Sequence, residues 1–345
     1  MPKHKNSAAI SVAAFTGGVS VPSARFRVRQ YVEPLADEGV ELTEFSAPLG
    51  MYPPSNQILR PLWGLATLAT RLPGIASSYN YDVTLLQREM LSTFITLEPL
   101  VKSPRVLDVD DAIWLHRGGK WAAQLAQQCD GIICGNNFTA EQFSKWNSNV
   151  TVIPTGVDVN RYVPGQPVEQ AIIGWSGTSG GFKYLYSIEL ALAEVLAKVP
   201  GSILRIVSDS MPKFHQIPAN RIEFIRWSPE NEVQAIQGMA VGIMPLENSL
   251  WERGKCSFKM LTYMACGIPV VVSPFGMNEE VLSHGCIGFG AKTIDNWVSS
   301  LSVLLSDIEQ RIEMGENGRK VIVDKYSINV VAPKLAKTLI KIGKA

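Results

Sequence analysis

Short apolar runs alternate along the whole chain with stretches whose apolar positions recur at helical spacing. That alternation is the pattern of parallel sheets covered by helices on both faces, so the expected class is α/β. In the first half it predicts strands at residues 8–15, 40–45, 81–86, 105–109, 131–134 and 150–153. Residues 153–167 then concentrate Pro and Gly, which break both periods and mark a linker. After it the alternation starts afresh, with strands expected at 171–175, 202–207, 221–225, 240–244, 269–273 and 286–289. The sequence therefore reads as two doubly wound lobes. Helices are expected at 307–324 and 327–342, the second carrying Val330, Val331, Leu335, Leu339 and Ile340 on a face that has to pack on something.

Composition supports two cores and narrows the partners. The chain has 345 residues, 46% hydrophobic and 18% charged, with mean hydropathy +0.09, which permits burial and argues against disorder. Lys and Arg number 32 against 31 Asp and Glu, a formal net charge of +1, so no whole-chain field attracts a polyanion and nucleic acid is not an expected partner. The five cysteines lack C-x-x-C spacing and their odd number suits reduced thiols in a cytoplasmic protein. The four histidines are scattered, so no metal site is expected. The apolar stretch near the amino terminus runs into Thr16-Gly17-Gly18 and reads as a first strand, not as a leader peptide. Residues 58–75, with Arg60, Trp63 and Arg71, read as a core helix, with a membrane-surface segment as the alternative.

Two lobes of this kind bind ligands at the carboxyl ends of their strands, where strand-to-helix loops gather. Three groups of residues lie in such loops. Gly17 and Gly18 follow the first strand, where they either let backbone N–H groups approach a phosphate or form an ordinary tight turn. Their spacing is not G-x-G-x-x-G, so a dinucleotide oxidoreductase is not supported. The run Gly174-Trp175-Ser176-Gly177-Thr178-Ser179-Gly180-Gly181-Phe182-Lys183 opens the second lobe and suits a diphosphate cradle or a flexible solvated loop. It lacks P-loop ordering, so ATP hydrolysis is not supported. Asp108-Val109-Asp110-Asp111 ends a strand and leads to His116; the carboxylates either orient a hydroxyl or cap the next helix.

The stretch Trp251-Glu252-Arg253-Gly254-Lys255-Cys256-Ser257-Phe258-Lys259, running through Met264-Ala265-Cys266-Gly267-Ile268-Pro269-Val270-Val271, resembles the signature of retaining GT-B glycosyltransferases of family 4, the glycosyl transferases group 1. Gly276-Met277-Asn278-Glu279-Glu280-Val281 is similar to that family's glycine turn with a glutamate. Ile153 to Asp158 resembles its interdomain linker, and Tyr326-Ser327 with the final helix resembles its carboxyl-terminal tail. The resemblance implies two Rossmann-like domains facing each other across a cleft: an acceptor-side domain at 1–160, a donor domain at 161–325, and a helix at 326–345 packing back on the first.

It also implies a hexosyltransferase that moves a sugar from a nucleotide-diphosphate donor to an unknown acceptor hydroxyl with retention of configuration. The acceptor would be a glycan, a lipid-linked sugar or a small molecule, and contact with the inner face of a membrane would be peripheral. The candidate donor contacts, read from the loops and from the residues matching the family's motifs, are Gly17, Gly18, Gly177, Thr178, Lys183, Arg253, Lys255, Lys259, Met277, Asn278 and Glu279. The catalytic set is Lys183 and Lys259 on the leaving diphosphate, Glu280 on a sugar hydroxyl, and Asp110 and His116 positioning the acceptor. Lys255 and Lys259, four apart, are expected on one helix face. No metal and no cofactor is expected if these cations meet the leaving charge.

The sequence departs from the family where many members carry two glutamates eight residues apart: Gly254 and Thr262 stand there instead, and Thr178 replaces a frequent arginine. The missing carboxylates keep open a non-catalytic nucleotide-sugar or glycan-binding subunit, and the two-lobe architecture is also similar to that of a nucleotide-sugar epimerase. The epimerase reading suffers from the scarcity of His and Glu in the expected cleft loops.

Overall fold

The computed structural model of the protein describes residues 10–91, 93–166 and 168–344. Two compact units make up the chain. The first comprises the described residues through Gly156, the tripeptide Gly254–Cys256 and the helix from Ile328 onward; the second comprises Val157–Arg253 and Ser257–Ser327.

In the first unit six strands pair in parallel: β1 (Ile10–Thr16), β2 (Val40–Ser46), β3 (Val83–Gln87), β4 (Arg105–Val109), β5 (Gly131–Cys134) and β6 (Val150–Val152). Their spatial order is β2-β1-β3-β4-β5-β6. Val12 stands beside Leu42 on one neighbour and Val83 on the other, and Leu85 beside Ala14 and Val106, so rows of apolar residues run across one face. The Ile328–Gly343 helix buries Val331, Leu335, Leu339 and Ile342 against those rows. Val330 and Ile340, expected on that apolar stripe, are only half-buried. Part of the expected first strand, residues 8 and 9, lies outside the described residues. The third strand starts at Val83 rather than at 81, because Asp82 turns to accept bonds from the Ser11 amide (2.7 Å) and hydroxyl (2.8 Å).

The second unit repeats the layering with β7 (Ile172–Ser176), β8 (Ile203–Ser208), β9 (Ile222–Arg226), β10 (Val241–Met244), β11 (Val270–Val272) and β12 (Gly288–Gly290), ordered β12-β11-β10-β7-β8-β9. Ile173, Leu204, Ile206, Val241, Ile243 and Val271 form its core with Leu192 and Val195 of the Glu189–Lys198 helix and Trp297 and Leu301 of the Ile294–Ser306 helix.

The division falls between Gly156 and Val157, ahead of the expected 160. Gly156 belongs to the first unit because its N–H donates to the Tyr31 hydroxyl (2.8 Å) and its carbonyl accepts from Gln30 (2.9 Å). Val157 instead bridges to Ser327 within the second unit.

The Arg60–Ser78 helix departs from its reading as a core helix. Only Thr67, Arg71, Ile75 and Ser78 of it are buried, a single stripe, while Leu62, Leu65 and Leu72 stand exposed, as do Ile58 and Leu59 in the turn before it. The buried Arg71 gives its N–H groups to the carbonyls of Thr16 (2.8 Å), Phe45 (3.3 Å) and Met90 (3.4 Å), and burial pushes its guanidinium down to about 10.

Candidate functional site

In the second unit the strand order changes direction beside β7, since β8 lies on one side of it and β10 on the other. Loops at the carboxyl ends of such neighbouring strands diverge and leave room for a ligand. The turn after β7 holds Gly177, where an added Cβ would stand 2.5 Å from Lys259 Nζ and 2.8 Å from the Trp175 ring. Gly181 is held open similarly, 2.9 Å from Trp175 and 3.7 Å from Lys259 Nζ. The ammonium lies 4.4 Å from the centre of the Trp175 ring, a cation–π seat that fixes a flexible chain at a defined point. Both glycines are therefore required by the approach of Lys259 and Trp175.

Lys259 is set by the Phe258–Ala265 helix, whose preceding residue, Ser257, adopts a left-handed φ of +51°. The Ser257 hydroxyl donates to Asn278 (2.7 Å), and the buried Asn278 amide donates to the Ser273 carbonyl (3.1 Å). Asn278 thus ties the helix carrying Lys259 to the turn after β11. Gly276 allows this turn with a φ of +59°, and a Cβ there would press on the Arg253 backbone at 3.0 Å. Met277 is buried, Glu279 exposed and Glu280 half-buried on the Met277–Leu282 helix. Arg253 donates to Asn248 (2.9 Å) and, with Asn248, Ser273, Phe275, Glu279 and Lys292, lines a cavity of about 700 Å³.

Lys183 is exposed and faces acids, its Nζ 3.7 Å from Glu252 and 3.9 Å from Glu247. Burial works against the charge of Glu252, yet hydrogen bonds from the Ser249 and Tyr184 hydroxyls outweigh it and hold the carboxyl below the usual range. The loop amides are partly engaged: Gly177 N–H donates to the Val207 carbonyl (3.0 Å), Ser179 N–H to Asp209 (2.6 Å) and Gly181 N–H to the Thr178 carbonyl (2.8 Å). These amides are committed to holding the loop's shape, and the charge it presents comes from side chains. Thr178 itself is exposed.

The expected helix face shared by Lys255 and Lys259 is not formed. The helix Leu250–Arg253 ends before Gly254, and Ser257 breaks the chain again. Gly254–Cys256 belongs to the first unit: the Asn136 amide donates to the carbonyls of Gly254 (2.9 Å) and Lys255 (3.0 Å), and the Cys256 thiol donates to the Asp110 carbonyl (3.1 Å). A Cβ at Gly254 would stand 2.7 Å from Ala112, so no glutamate fits there. Thr262 is buried and donates to the Lys259 carbonyl (2.8 Å).

In the first unit Gly17 is closed over by Met51, whose Sδ would be 3.0 Å from an added Cβ, and Val21, Ala24 and Met51 form a small apolar cluster beside it. Gly18 adopts a φ of +131°. Asp110 and Asp111 do not cap the helical turn at Ile113–Gly119; its cap is Ala112, without a side-chain bond. Asp111 pairs instead with Arg88 (3.2 Å). Burial, and after it the neighbouring Asp110, push the Asp111 carboxyl up to about 6 against the pull of Arg88. His116 is half-buried on that turn, and its carbonyl accepts from Trp121 (3.2 Å).

Gln87, Arg88 and Glu89 escaped the sequence reading. Gln87 Nε2 and Oε1, Arg88 Nε, Glu89 Oε2 and Asp110 Oδ1 are buried without a hydrogen-bond partner among the described residues, gathered at the carboxyl ends of β3 and β4. The one signal was a polar Gln-Arg-Glu run closing an apolar strand. Trp175 falls inside the glycine-rich run, but its role as the seat of Lys259 had no mark, since that partner lies far along the chain. Among the described residues no group of three or more His, Cys, Asp or Glu side chains is placed to hold a metal ion, and no helix is long and apolar enough to cross a membrane.

Residues 180–307 match the family model described as glycosyl transferases group 1, a span that includes Lys183, Lys259 and Glu280. D-inositol 3-phosphate glycosyltransferase of Corynebacterium urealyticum is 22% identical over 51% of this chain, a match that spans about half (47%) of that relative. Among solved structures, sucrose-phosphate synthase of Thermosynechococcus elongatus superimposes with a TM-score of 0.68 at 14% identity, covering 95% of this chain and 97% of the other. Anabaena HepE in complex with UDP and glucose superimposes with a TM-score of 0.70 at 14% identity, covering 96% and 100%. Two six-stranded parallel sheets, each wound with helices, give this chain the fold of the GT-B glycosyltransferases.

Proposed function

We propose that the protein transfers a sugar from a nucleoside-diphosphate sugar to a hydroxyl of a polar acceptor. The observation that carries this reading is the Lys259 ammonium, seated on Trp175 against Gly177 at the carboxyl end of β7. A departing diphosphate needs positive charge where its own charge develops, and a cation already held in place supplies it without reorganisation. Lys183, countered by Glu252, adds less. A neighbour solved with UDP and glucose supports a uridine donor.

Transfer proceeds with retention. The bond from the anomeric carbon to the diphosphate oxygen breaks, the acceptor oxygen bonds to that carbon on the same face, and the acceptor proton passes to the leaving phosphate oxygen. Glu280 holds a donor hydroxyl. No metal takes part, because Lys259 meets the leaving charge. The acceptor is rich in hydroxyls: the unpartnered Gln87, Arg88, Glu89 and Asp110 atoms are a mixed set of donors and acceptors suited to a sugar. The leucines exposed on the Arg60–Ser78 helix, with no Asp or Glu between residues 47 and 78, support a lipid-linked acceptor met at an anionic membrane surface. Co-sedimentation with anionic vesicles, lost in Leu62→Ser/Leu65→Ser, checks that part.

A thermal-shift screen of UDP-, GDP- and ADP-sugars with and without EDTA tests the donor. One nucleotide series should raise the melting temperature whether or not EDTA is present, and Lys259→Met should abolish the rise. NMR of the product anomer then decides retention. Binding without any turnover would instead support the non-catalytic subunit.

A further inference from the structure

A second cavity, of about 410 Å³, lies at the opposite end of the second sheet from the loop that holds Lys259. Its walls include Met239 and Ala240, which precede β10, and Ile268 and Pro269, which precede β11, so it opens at the amino ends of these strands. Pro164 of the linker and Ile312 and Val323 add apolar surface. Two arginines of the Ile308–Val321 helix reach it, and they differ in one respect. Arg319 gives its N–H groups to the carbonyls of Tyr162 (2.6 Å), Ala265 (2.7 Å) and Val159 (2.9 Å). Arg311 is only 5% exposed, yet Nη1 and Nη2 meet no partner among the described residues.

A buried guanidinium left alone is costly, because desolvation removes water and nothing replaces it. Asp307 attracts it from the start of the helix, but that carboxylate accepts from the Gln310 amide (2.9 Å) and makes no bond to Arg311. Glu316, Lys320 and Asp324 stand exposed among the lining residues, so their charges stay in water. Arg311 lines this cavity, and the N–H groups of its unpartnered Nη1 and Nη2 match the fork of a carboxylate or phosphate. The volume falls in the range of small-molecule sites.

We infer that this cavity is a second ligand site, which binds a small organic anion, a carboxylate or phosphate monoester with an apolar body, through Arg311. It is separate from the sugar-transfer reading and stands whether or not that reading holds.

Thermal shift with hexanoate, phenyl phosphate and inorganic phosphate tests it on the full chain. Hexanoate or phenyl phosphate at about ten times its Kd should raise the melting temperature by about 2 °C, with inorganic phosphate weaker for want of an apolar body. Arg311→Leu should abolish the rise while melting no lower than the unchanged protein, since it removes an unpaired buried charge. Arg311→Lys, which keeps the charge and loses the fork, should weaken the rise. An absent response to all three probes, an equal response in Arg311→Leu, or an Arg311→Leu protein that melts several degrees lower or fails to fold would overturn the inference and make Arg311 a structural residue.

Discussion

The turn after β1 and the turn after β7 occupy equivalent places, each following the first strand of its sheet where the strand order changes direction. Both rely on glycine. Over the first, Met51 closes against Gly17; over the second, Lys259 arrives against Gly177. The backbone supplies the same opening twice, and a single side chain from elsewhere decides whether it is met by an apolar thioether or by an ammonium. The nearby charges are used differently too. In the first unit the buried Arg27 gives Nε and Nη2 to Asp108 (3.0 and 2.5 Å) and Nη1 to the Ile153 carbonyl (2.9 Å), so this cation is consumed by the fold. In the second unit the cation rests on an aromatic face at the mouth of a loop.

Asp108→Ala should strike stability hardest. It leaves Arg27 buried and charged without its partner, and denaturant unfolding should show a loss of about 3–5 kcal/mol. Lys259→Met should do the reverse. Its kcat/KM is expected to fall by about 100- to 1000-fold while the melting temperature stays within about 2 °C. A Lys259→Met protein that melts early but turns over normally would make both cations structural and erase the distinction.

A smaller effect concerns pH. The Asp111 carboxyl is raised to about 6, so between about 4 and about 6 the folded chain holds a proton that the unfolded chain has given up. Its contribution is most favourable below about 4 and declines as pH rises toward about 6. Asp111→Asn should remove about 1–2 kcal/mol of that decline, read from unfolding midpoints across the window. The two glycine turns give the smallest and most direct comparison. Gly18→Ala forces a side chain into a φ of +131° and should cost about 1–2 kcal/mol of stability. Gly177→Ala meets the Lys259 ammonium at 2.5 Å and the rigid Trp175 ring at 2.8 Å, so it should cost a similar amount, about 1–2 kcal/mol, and in addition raise KM for the donor several-fold.

Much of the sheets was readable because many of the strands are short, mostly apolar runs next to turn residues, as Val270 to Val272 shows between Pro269 and Ser273. Fold class follows from such local signals. The site was less readable because its contacts are long-range: Lys259 meets Trp175, Asn278 meets Ser257, and Arg27 meets Asp108, pairs that no spacing rule links. The break at Ser257 defeated the helical reading of Lys255 and Lys259, since a left-handed serine carries no mark in sequence. The Arg60–Ser78 helix misled in another way. Leucine content signals burial on average, and only the structure shows that one stripe of this helix meets the sheet.

The Ile328–Gly343 helix, which covers one face of the first sheet, bears on how the protein is made. Chains emerge from the ribosome amino end first, at about 5–20 residues per second. The strands of the first unit are all synthesised before Val157, yet the helix that covers Val12, Leu42, Val83 and Leu85 comes only after the entire second unit. The first unit to be translated is the last to be completed. During that interval its apolar face is open to water and to chaperones, and the second unit folds on a nascent chain whose earlier half is still unfinished.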